Sequence, residues 1–405
     1  MSRERTREYI RDSWKNAVRK KDCNRKFPMP YDYVPPCVDG DLIDLYYWDT
    51  YFTNLGLYAD DLDEYARGNI ENLKFCLRKF GCVPNMCRGN GADYASQPPL
   101  LFWMIDDYYE RTQDRAFLED GYAALETEYG FWMRERISPN GLNQYGTNAK
   151  TAELIEGFLE YLANRLSLDV SLWSEEEKFE FCRHRNAEGE SGEDHTHRFR
   201  GRAYFVNPVD LNSYLYAFER TMQKFAALLG REGQVWNERA KTRLALMKKY
   251  CFDEQTGLYF DYDYEGEERT GVYCAACYLP FVFGITDDRK AVERLNEKLV
   301  CEHGVLSCEE LPTNGETFQW GYPNAWAPHQ YFAYLANERA GNSERARTIA
   351  EKWLDTLGAE FERSGKLFEK YDAVKGGAAT VNEYGLPEML GWTAGVFNAF
   401  YEKLK

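Results

Sequence analysis

A recurring helical pattern constrains the fold of this 405-residue chain more than any other feature of its sequence. Apolar residues repeat at helical spacing in about a dozen segments, and Gly, Pro and Asn are frequent in the loops between them. The first helix is predicted from an apolar stripe that joins Tyr9, Ile10, Trp14 and Ala17. The further predicted helices span 62–80, 97–111, 115–136, 150–168, 172–183, 209–230, 235–251, 275–283, 287–300, 328–340, 343–364 and 387–404, and one short run, 258–264, has a strand-like pattern.

The loops between the predicted helices differ widely in length, and no strict repeat is present. Helical solenoids, in contrast, repeat with a period of roughly 20–50 residues. We therefore expect an all-α fold in which helical hairpins form a ring, or toroid, with long loops and small β-hairpins around a pocket at one end. We expect residues 1–405 to form a single domain.

The charge balance argues against two classes of partner. Lys and Arg number 50 and Asp and Glu 66, which gives a net charge of −16. Nucleic acids and anionic membranes attract positive surfaces, so neither is an expected partner. The charged N-terminus leads into no apolar signal segment, no long apolar run is present, and the eleven cysteines show no disulfide-like framework. These features favour a cytoplasmic protein.

Two short acidic segments are the strongest indication of function. Residues 190–194 read Glu-Ser-Gly-Glu-Asp, and residues 368–372 read Phe-Glu-Lys-Tyr-Asp. Glycosidic bonds are usually cleaved by two carboxyl groups that face each other across the sugar, one protonated and one ionised. Aromatic residues, which make up 16% of the chain, supply flat apolar rings that cover the C–H face of a pyranose. The two segments therefore predict a site that cleaves a glycosidic bond.

Other segments place tryptophan, asparagine or glutamine beside acids or at loop–helix junctions. They are 44–52 (Asp-Leu-Tyr-Tyr-Trp-Asp-Thr-Tyr-Phe), 83–85 with 96–99 (Val-Pro-Asn and Ser-Gln-Pro-Pro), 319–328 (Gln-Trp-Gly-Tyr-Pro-Asn-Ala-Trp-Ala-Pro) and 391–396 (Gly-Trp-Thr-Ala-Gly-Val). Amide side chains both donate and accept hydrogen bonds, as sugar hydroxyls require. Helix capping is the alternative role for Asp49, Asn85 and Gln97.

In this order, the segments resemble those of the trehalase family of inverting glycoside hydrolases, from about residue 41 to residue 396. The related helical-toroid α-glucosidases and mannosylglycerate hydrolases are similar in a looser way. The resemblance implies a toroid of six helical hairpins, (α/α)6, with the pocket at one end. It also implies hydrolysis of a small α-linked glucoside, with a small oligosaccharide or glycoside as substrate and with neither a cofactor nor a metal.

The resemblance further assigns roles residue by residue. Asp194, in the Ser-Gly-x-Asp segment, falls on the general acid, and Glu369, in the Glu-Lys-Tyr-Asp segment, falls on the general base. The positions that line the family's sugar pocket are occupied here by Trp48, Asp49, Asn85, Gln97, Trp320 and Glu383.

Several family positions differ in this chain. The family's Gly-Gly-Arg-Phe is replaced by Asp-Gly-Asp-Leu at 39–42, its arginine before Ser-Gln-Pro-Pro is replaced by Ala95, and its Arg-Pro-Glu segment has no clear counterpart between residues 144 and 182. Gly321 stands where the family has an aspartate after Gln-Trp, and Glu193 stands where it has a tryptophan before the acid. Because the family arginines bind the second sugar, other α-glucosides or α-mannosides, such as glucosyl- or mannosylglycerate, stay open as substrates beside trehalose.

Other interpretations stay open from the residues alone. Asp194, His195 and His197 match a metal-ligand set, and Cys274 with Cys277 matches a redox or zinc half-site. A sugar epimerase would share the ring of helices but would normally use histidines as proton carriers. A non-catalytic relative would bind a sugar without turnover.

Overall fold

The computed structural model describes residues 2–21, 23, 27–38, 42–87, 95–313, 316–381, 385–388 and 390–405. Its α-helices, numbered in chain order, are α1 (Ser2–Ala17), α2 (Tyr47–Ala59), α3 (Asp63–Phe80), α4 (Leu101–Thr112), α5 (Arg115–Glu135), α6 (Thr151–Glu153), α7 (Leu159–Leu166), α8 (Glu175–Glu190), α9 (Val209–Leu229), α10 (Gln234–Tyr250), α11 (Leu279–Val282), α12 (Arg289–Leu299), α13 (Ala327–Arg339), α14 (Ser343–Ser364) and α15 (Gly391–Lys403). A π-helical turn, Leu154–Phe158, joins α6 to α7, and 3-10 turns span Ala203–Phe205 and Ala275–Tyr278.

The helices of the described chain form two concentric layers. In the inner layer, α2, α4, α9, α11, α13 and α15 each contact the next, and α15 closes the ring by packing on α2. In the outer layer, α1, α3, α5, α10, α12 and α14 pack on the outside of these inner helices. Because outer and inner helices alternate along the chain, the architecture is the helical toroid that the sequence predicted.

One inner helix, α2, is absent from the prediction, although the other inner helices overlap predicted ones. Nearly all of its residues are buried, so it lacks the polar face that gives a surface helix its 3.6-residue pattern. The helix predicted over 172–183 is present but has different bounds. The helix there is α8, which begins after the N-cap Ser174 and continues through the polar stretch as far as Glu190. The helix predicted from residue 97 begins only at Leu101.

Two glycines allow α2 and α15 to pack closely where the inner ring closes. A Cβ atom on Gly395 would lie 1.8 Å from the backbone oxygen of Phe52, and one on Gly56 would lie 2.7 Å from the Gly395 Cα. Backbone rather than movable side chain occupies this space, so larger residues would force the two helices apart. The Gly-Trp-Thr-Ala-Gly-Val segment thus has a packing role in addition to any role in a pocket.

Short antiparallel strands join the long loops. The strands are β1 (Val206–Asn207), β2 (Phe252–Asp253), β3 (Leu258–Tyr259), β4 (Tyr262–Asp263), β5 (Glu268–Arg269), β6 (Asn324–Trp326) and β7 (Lys370–Asp372). They pair as β1-β4-β5, β2-β3 and β6-β7. In the last pair Trp326 lies opposite Lys370, so two motifs that are distant in sequence become neighbours.

The core is rich in aromatic side chains, and Trp14, Trp132, Trp326 and Trp353 are among the largest fully buried ones. Among the helices that the structure describes, none combines the length and the apolar character needed to cross a membrane.

Candidate active site

One end of the toroid holds a cavity of about 1450 Å³. The N-terminal ends of inner helices reach it: Trp48 and Asp49 belong to the first turn of α2, Trp392 to that of α15, and Trp326 directly precedes α13. Every predicted site residue that lies within the described chain lines this cavity, namely Trp48, Asp49, Asn85, Gln97, Asp194, Trp320 and Glu369. Glu383 lies outside the described residues, so its predicted role stays a prediction.

The acidic segment 190–194 has a structural half and a cavity-facing half. Glu190 is fully buried and accepts hydrogen bonds from Arg136 Nε at 2.6 Å, from the Gly146 amide at 2.7 Å and from the Ser96 amide at 2.8 Å. A carboxylate in such a set of donors fixes the loops that supply them. Glu190 therefore anchors the end of α8, and Asp194 is the member of the segment that lines the cavity.

Glu193, which replaces the family tryptophan, is also held by basic side chains. Its carboxylate lies 3.3 Å from Arg198 Nη1 and 3.1 Å from His329 Nε2. Burial raises its pKa, but the Arg198 charge and the His329 contact outweigh burial and lower that pKa below its ordinary value. Arg198 is fully buried and also binds Asp210 and Asp261. This ionic network fixes the loop on both sides of Asp194.

Gly192 brings the loop against the tryptophan wall. It has a φ of +77°, and a Cβ atom there would lie 2.7 Å from the Trp48 ring. Both the left-handed backbone and the close ring favour glycine at this position. Backbone conformation and packing therefore both explain the glycine that precedes the two acidic residues.

Asp194 receives three hydrogen bonds at the cavity wall. Arg165 Nη2 donates to Oδ2 at 2.9 Å, Trp320 Nε1 donates to Oδ1 at 3.3 Å, and Gln319 Nε2 lies 3.4 Å from Oδ2. Its side chain keeps 39% of its surface accessible. The carboxyl group is thus oriented by donors while one side stays open to a ligand.

Glu369 lies directly before β7 and is only 2% exposed. Lys370 Nζ lies 3.1 Å from Glu369 Oε2 and 3.3 Å from Gln319 Oε1. Since the amide of Gln319 also reaches Asp194, one glutamine and one lysine connect the two predicted catalytic carboxyl groups. The backbone oxygen of Glu369 accepts a hydrogen bond from Trp392 Nε1 at 3.1 Å. This bond ties Glu369 to the first turn of α15.

A third carboxyl group, Asp49, lies in the same electrostatic neighbourhood. It is 6% exposed, and burial, reinforced by the charges of Glu369 and Asp194, raises its pKa to about 8. A neutral carboxyl both donates and accepts hydrogen bonds. Below that pH, Asp49 can therefore either donate a hydrogen bond to a sugar hydroxyl or accept one from it.

Tryptophans form much of the apolar wall. Trp320 stacks on Trp326 with ring centroids 3.6 Å apart and planes 4° apart, and Trp48 lies 5.8 Å from Trp320 and 5.9 Å from Trp392. Such rings offer the flat apolar surface that packs on the C–H face of a sugar. The indole N–H of Trp320 binds Asp194, and that of Trp392 binds the backbone oxygen of Glu369.

Asn85 and Gln97 line the cavity and also perform structural tasks. Asn85 Nδ2 donates to the Gly189 carbonyl at 3.3 Å, and Gln97 Oε1 accepts from the Trp48 amide at 3.1 Å. Gln97 therefore satisfies a backbone amide in the first turn of α2, which is the capping role that the sequence left open.

The structure adds cavity residues that the motifs did not identify. Arg165 and Arg185 line the cavity, and Arg185 Nη1 is bonded to Glu188 at 2.8 Å. Helical spacing within the predicted helix 150–168 was the available signal for Arg165, but no motif marked it. Arginines thus reach the cavity from α7 and α8, at positions that no family motif marked.

The histidines and cysteines that the sequence offered as alternative metal ligands have other neighbours in the structure. His195 Nε2 lies 3.4 Å from Glu316 Oε1, while His197 stacks on Phe318. Within the described residues, no three His, Cys, Asp or Glu side chains are grouped as metal ligands. Cys274 and Cys277 are buried free thiols with sulfur atoms 3.9 Å apart.

Comparison with known proteins gives one consistent result. A family model described as Trehalase matches residues 2–405. Trehalase from Homo sapiens is 31% identical over 413 aligned positions, which cover 92% of this chain and 67% of the human protein.

Solved structures agree with this match. Neutral trehalase from Saccharomyces cerevisiae has a TM-score of 0.78 at 26% identity, covering 98% of this chain and 80% of the yeast chain. A GH63 mannosylglycerate hydrolase from Thermus thermophilus shares the fold, with a TM-score of 0.65 at 16% identity over 98% of this chain and 99% of that one. The predicted helical toroid is confirmed, and the chain belongs to the trehalase family and is a glycoside hydrolase.

Proposed function

We propose that this enzyme hydrolyses a small α-linked glucoside with inversion at the anomeric carbon, and that trehalose is the first substrate to test. The observation that carries the proposal is that Asp194 and Glu369 line one cavity together with Trp48 and Asp49. The cavity, about 1450 Å³, exceeds the roughly 300–1,000 Å³ of ordinary small-ligand pockets. It therefore leaves room for a glucosyl unit and a leaving group.

In the proposed reaction, Asp194 is the general acid and Glu369 the general base. Asp194 gives its proton to the glycosidic oxygen as the bond from that oxygen to the anomeric carbon breaks. Glu369 removes a proton from a water molecule that attacks the opposite face of the same carbon. Lys370 Nζ, 3.1 Å from Glu369 Oε2, holds that carboxyl group in position for this step.

The other cavity residues hold the glucosyl unit. The tryptophan rings cover its apolar face, and Asp49 binds hydroxyls in its neutral form. Asn85, Gln97 and Glu383 remain proposed binding residues. We also propose a cytoplasmic location, because none of the eleven cysteines, all within the described residues, forms a disulfide and thiols persist in reducing compartments.

A disaccharide and glycoside panel followed by proton NMR tests the proposal. Inversion should release the attacked glucosyl unit as the β-anomer, so trehalose should first give α- and β-glucose in equal amounts, whereas retention would give only α-glucose. Turnover of glucosylglycerate or mannosylglycerate but not trehalose would redirect the substrate assignment. A change of free monosaccharide into another sugar would favour an epimerase, and calorimetric binding without turnover would favour a non-catalytic protein.

Variants test the two catalytic roles. Asp194→Asn and Glu369→Gln should each lower kcat by roughly 10²- to 10⁴-fold, the usual contribution of general acid–base catalysis. Asp169→Asn, at an exposed carboxyl outside the cavity, is the control and should keep wild-type turnover. Near wild-type activity of Asp194→Asn on a disaccharide that the parent cleaves would rule out the proposed acid.

A further inference from the structure

A single helical stripe forms one wall of the cavity. Residues 151–166, which we call the cavity-wall helix, comprise α6, the π-helical turn and α7. Phe158, Tyr161, Leu162, Arg165 and Leu166 all line the cavity, and their spacing of three and four residues places them on one helical face. This helix lies in the stretch where the family's Arg-Pro-Glu segment is missing.

The π-helical turn sets the direction of this face. It ends at Phe158 and inserts an extra residue before α7, so every side chain after it is rotated relative to an uninterrupted α-helix. Leu159 packs in a small core with Leu154 and Cys182, and Leu162 contributes both to that core and to the cavity wall. The packing of Leu159 thereby holds Arg165 on the cavity side.

Arg165 is the charged member of the stripe, and it contacts the proposed general acid. Its Nη2 lies 2.9 Å from Asp194 Oδ2, and its Nη1 donates to the Tyr161 hydroxyl at 2.9 Å. The side chain is 19% exposed. A general acid must reach the glycosidic oxygen, so a guanidinium bonded to that acid lies beside the leaving group.

We propose that Arg165 is a positioning and specificity-determining residue on the leaving-group side of the cavity. The inference rests on the proposed function, because it takes Asp194 as the general acid. Arg165 Nη2 orients the Asp194 carboxyl group from the cavity wall. The same guanidinium can donate to hydroxyls of a leaving group bound beside that carboxyl group.

The rest of the wall defines the leaving group that this arrangement recognises. Phe158 and Tyr161 lie with ring centroids 6.2 Å apart and planes 24° apart, and Leu162 and Leu166 add apolar surface. Arg165 and Arg185 each have a carboxylate partner, Asp194 and Glu188. This combination suits a neutral ring with an apolar face and hydroxyls better than a small anionic group.

Two substrates with the same glucosyl unit isolate the role of Arg165. Trehalose carries a leaving group with hydroxyls, whereas α-glucosyl fluoride releases fluoride, which needs neither those contacts nor full protonation. Arg165→Gln should lower kcat/KM on trehalose by roughly 10- to 100-fold, as expected for a lost hydrogen bond to a charged group. Its kcat/KM on the fluoride should stay within about twofold of wild type.

The control is Arg183→Gln. Arg183 is similarly half-buried, with 17% of its side chain exposed, is paired with Glu180, and does not line the cavity. This variant should leave the ratio between the two substrates unchanged even where its thermal stability falls. Arg165→Lys should recover part of the activity on trehalose, because it restores the positive charge.

The outcomes separate the two proposals. An equal loss of activity on both substrates, or no loss on trehalose, overturns the assignment of Arg165 while the proposed function stands. If the wild-type enzyme hydrolyses neither substrate, the proposed function falls, and the role of Arg165 falls with it.

Discussion

Asp49→Asn removes an ionisable group that the fold buries almost completely, and it should change how stability depends on pH. Burial, with the Glu369 and Asp194 charges, raises the pKa of Asp49 from 3.8 to about 8. The unfolded chain releases this proton near the ordinary value, whereas the folded chain keeps it up to about pH 8. Between these values unfolding releases one proton, so rising pH favours unfolding.

The size of the effect follows from proton linkage. One proton difference changes the free energy of unfolding by about 1.4 kcal/mol per pH unit. Between about pH 5.5 and about pH 7.5, Asp49 should therefore cost the wild type about 3 kcal/mol relative to Asp49→Asn. The asparagine variant has nearly the same shape but no proton to release, so the difference between the two proteins isolates this group.

Urea unfolding of both proteins over this pH range is the measurement. The difference in unfolding free energy, wild type minus variant, should fall as pH rises and level off above about pH 8. Asp12→Asn, at an exposed position on α1, supplies the matched comparison for replacement of an aspartate by asparagine. A wild-type-minus-variant difference that stays constant with pH would falsify the burial of a neutral Asp49.

Two further substitutions test how the site is held. Gly192→Ala places a Cβ 2.7 Å from the Trp48 ring at a φ of +77°, so it should cost at least about 1 kcal/mol of stability. The variant should also have a lower kcat/KM. Thermal unfolding and steady-state kinetics are the measurements, and a variant that matched the wild type in both melting temperature and kcat/KM would contradict this prediction. Glu190→Gln leaves the buried Arg136 without its anionic partner and should cost about 3–5 kcal/mol. Unchanged urea unfolding of that variant would show that the pair is not needed.

Much of the site could be predicted because its residues occur in local patterns. Trp48 and Asp49 are adjacent in the chain, and a Ser-Gly-x-Asp segment identifies Asp194 whatever surrounds it. The structure places these residues with Glu369 around one cavity. Their catalytic and binding roles remain predictions, and so does the single domain over residues 1–405.

Other parts depended on neighbours that are distant in the chain. The same segment contains Glu190 and Glu193, which pair with Arg136 and Arg198 respectively, and no local pattern predicts these buried pairs. Helix α2 was missed because a helix surrounded by protein has no polar face. Arg165 carried no motif, since its position depends on a π-helical turn and on core packing.

By itself, the sequence determined the helical character of the chain, the absence of a repeat, and the family, because periodicity and motifs depend on residues that are close together in the chain. Only the tertiary structure decided which acids face the cavity, how far burial raises the pKa of Asp49, and which arginines line the cavity. The physical reason is that burial and charge pairing act through space, between side chains whose distance along the chain does not predict their contact.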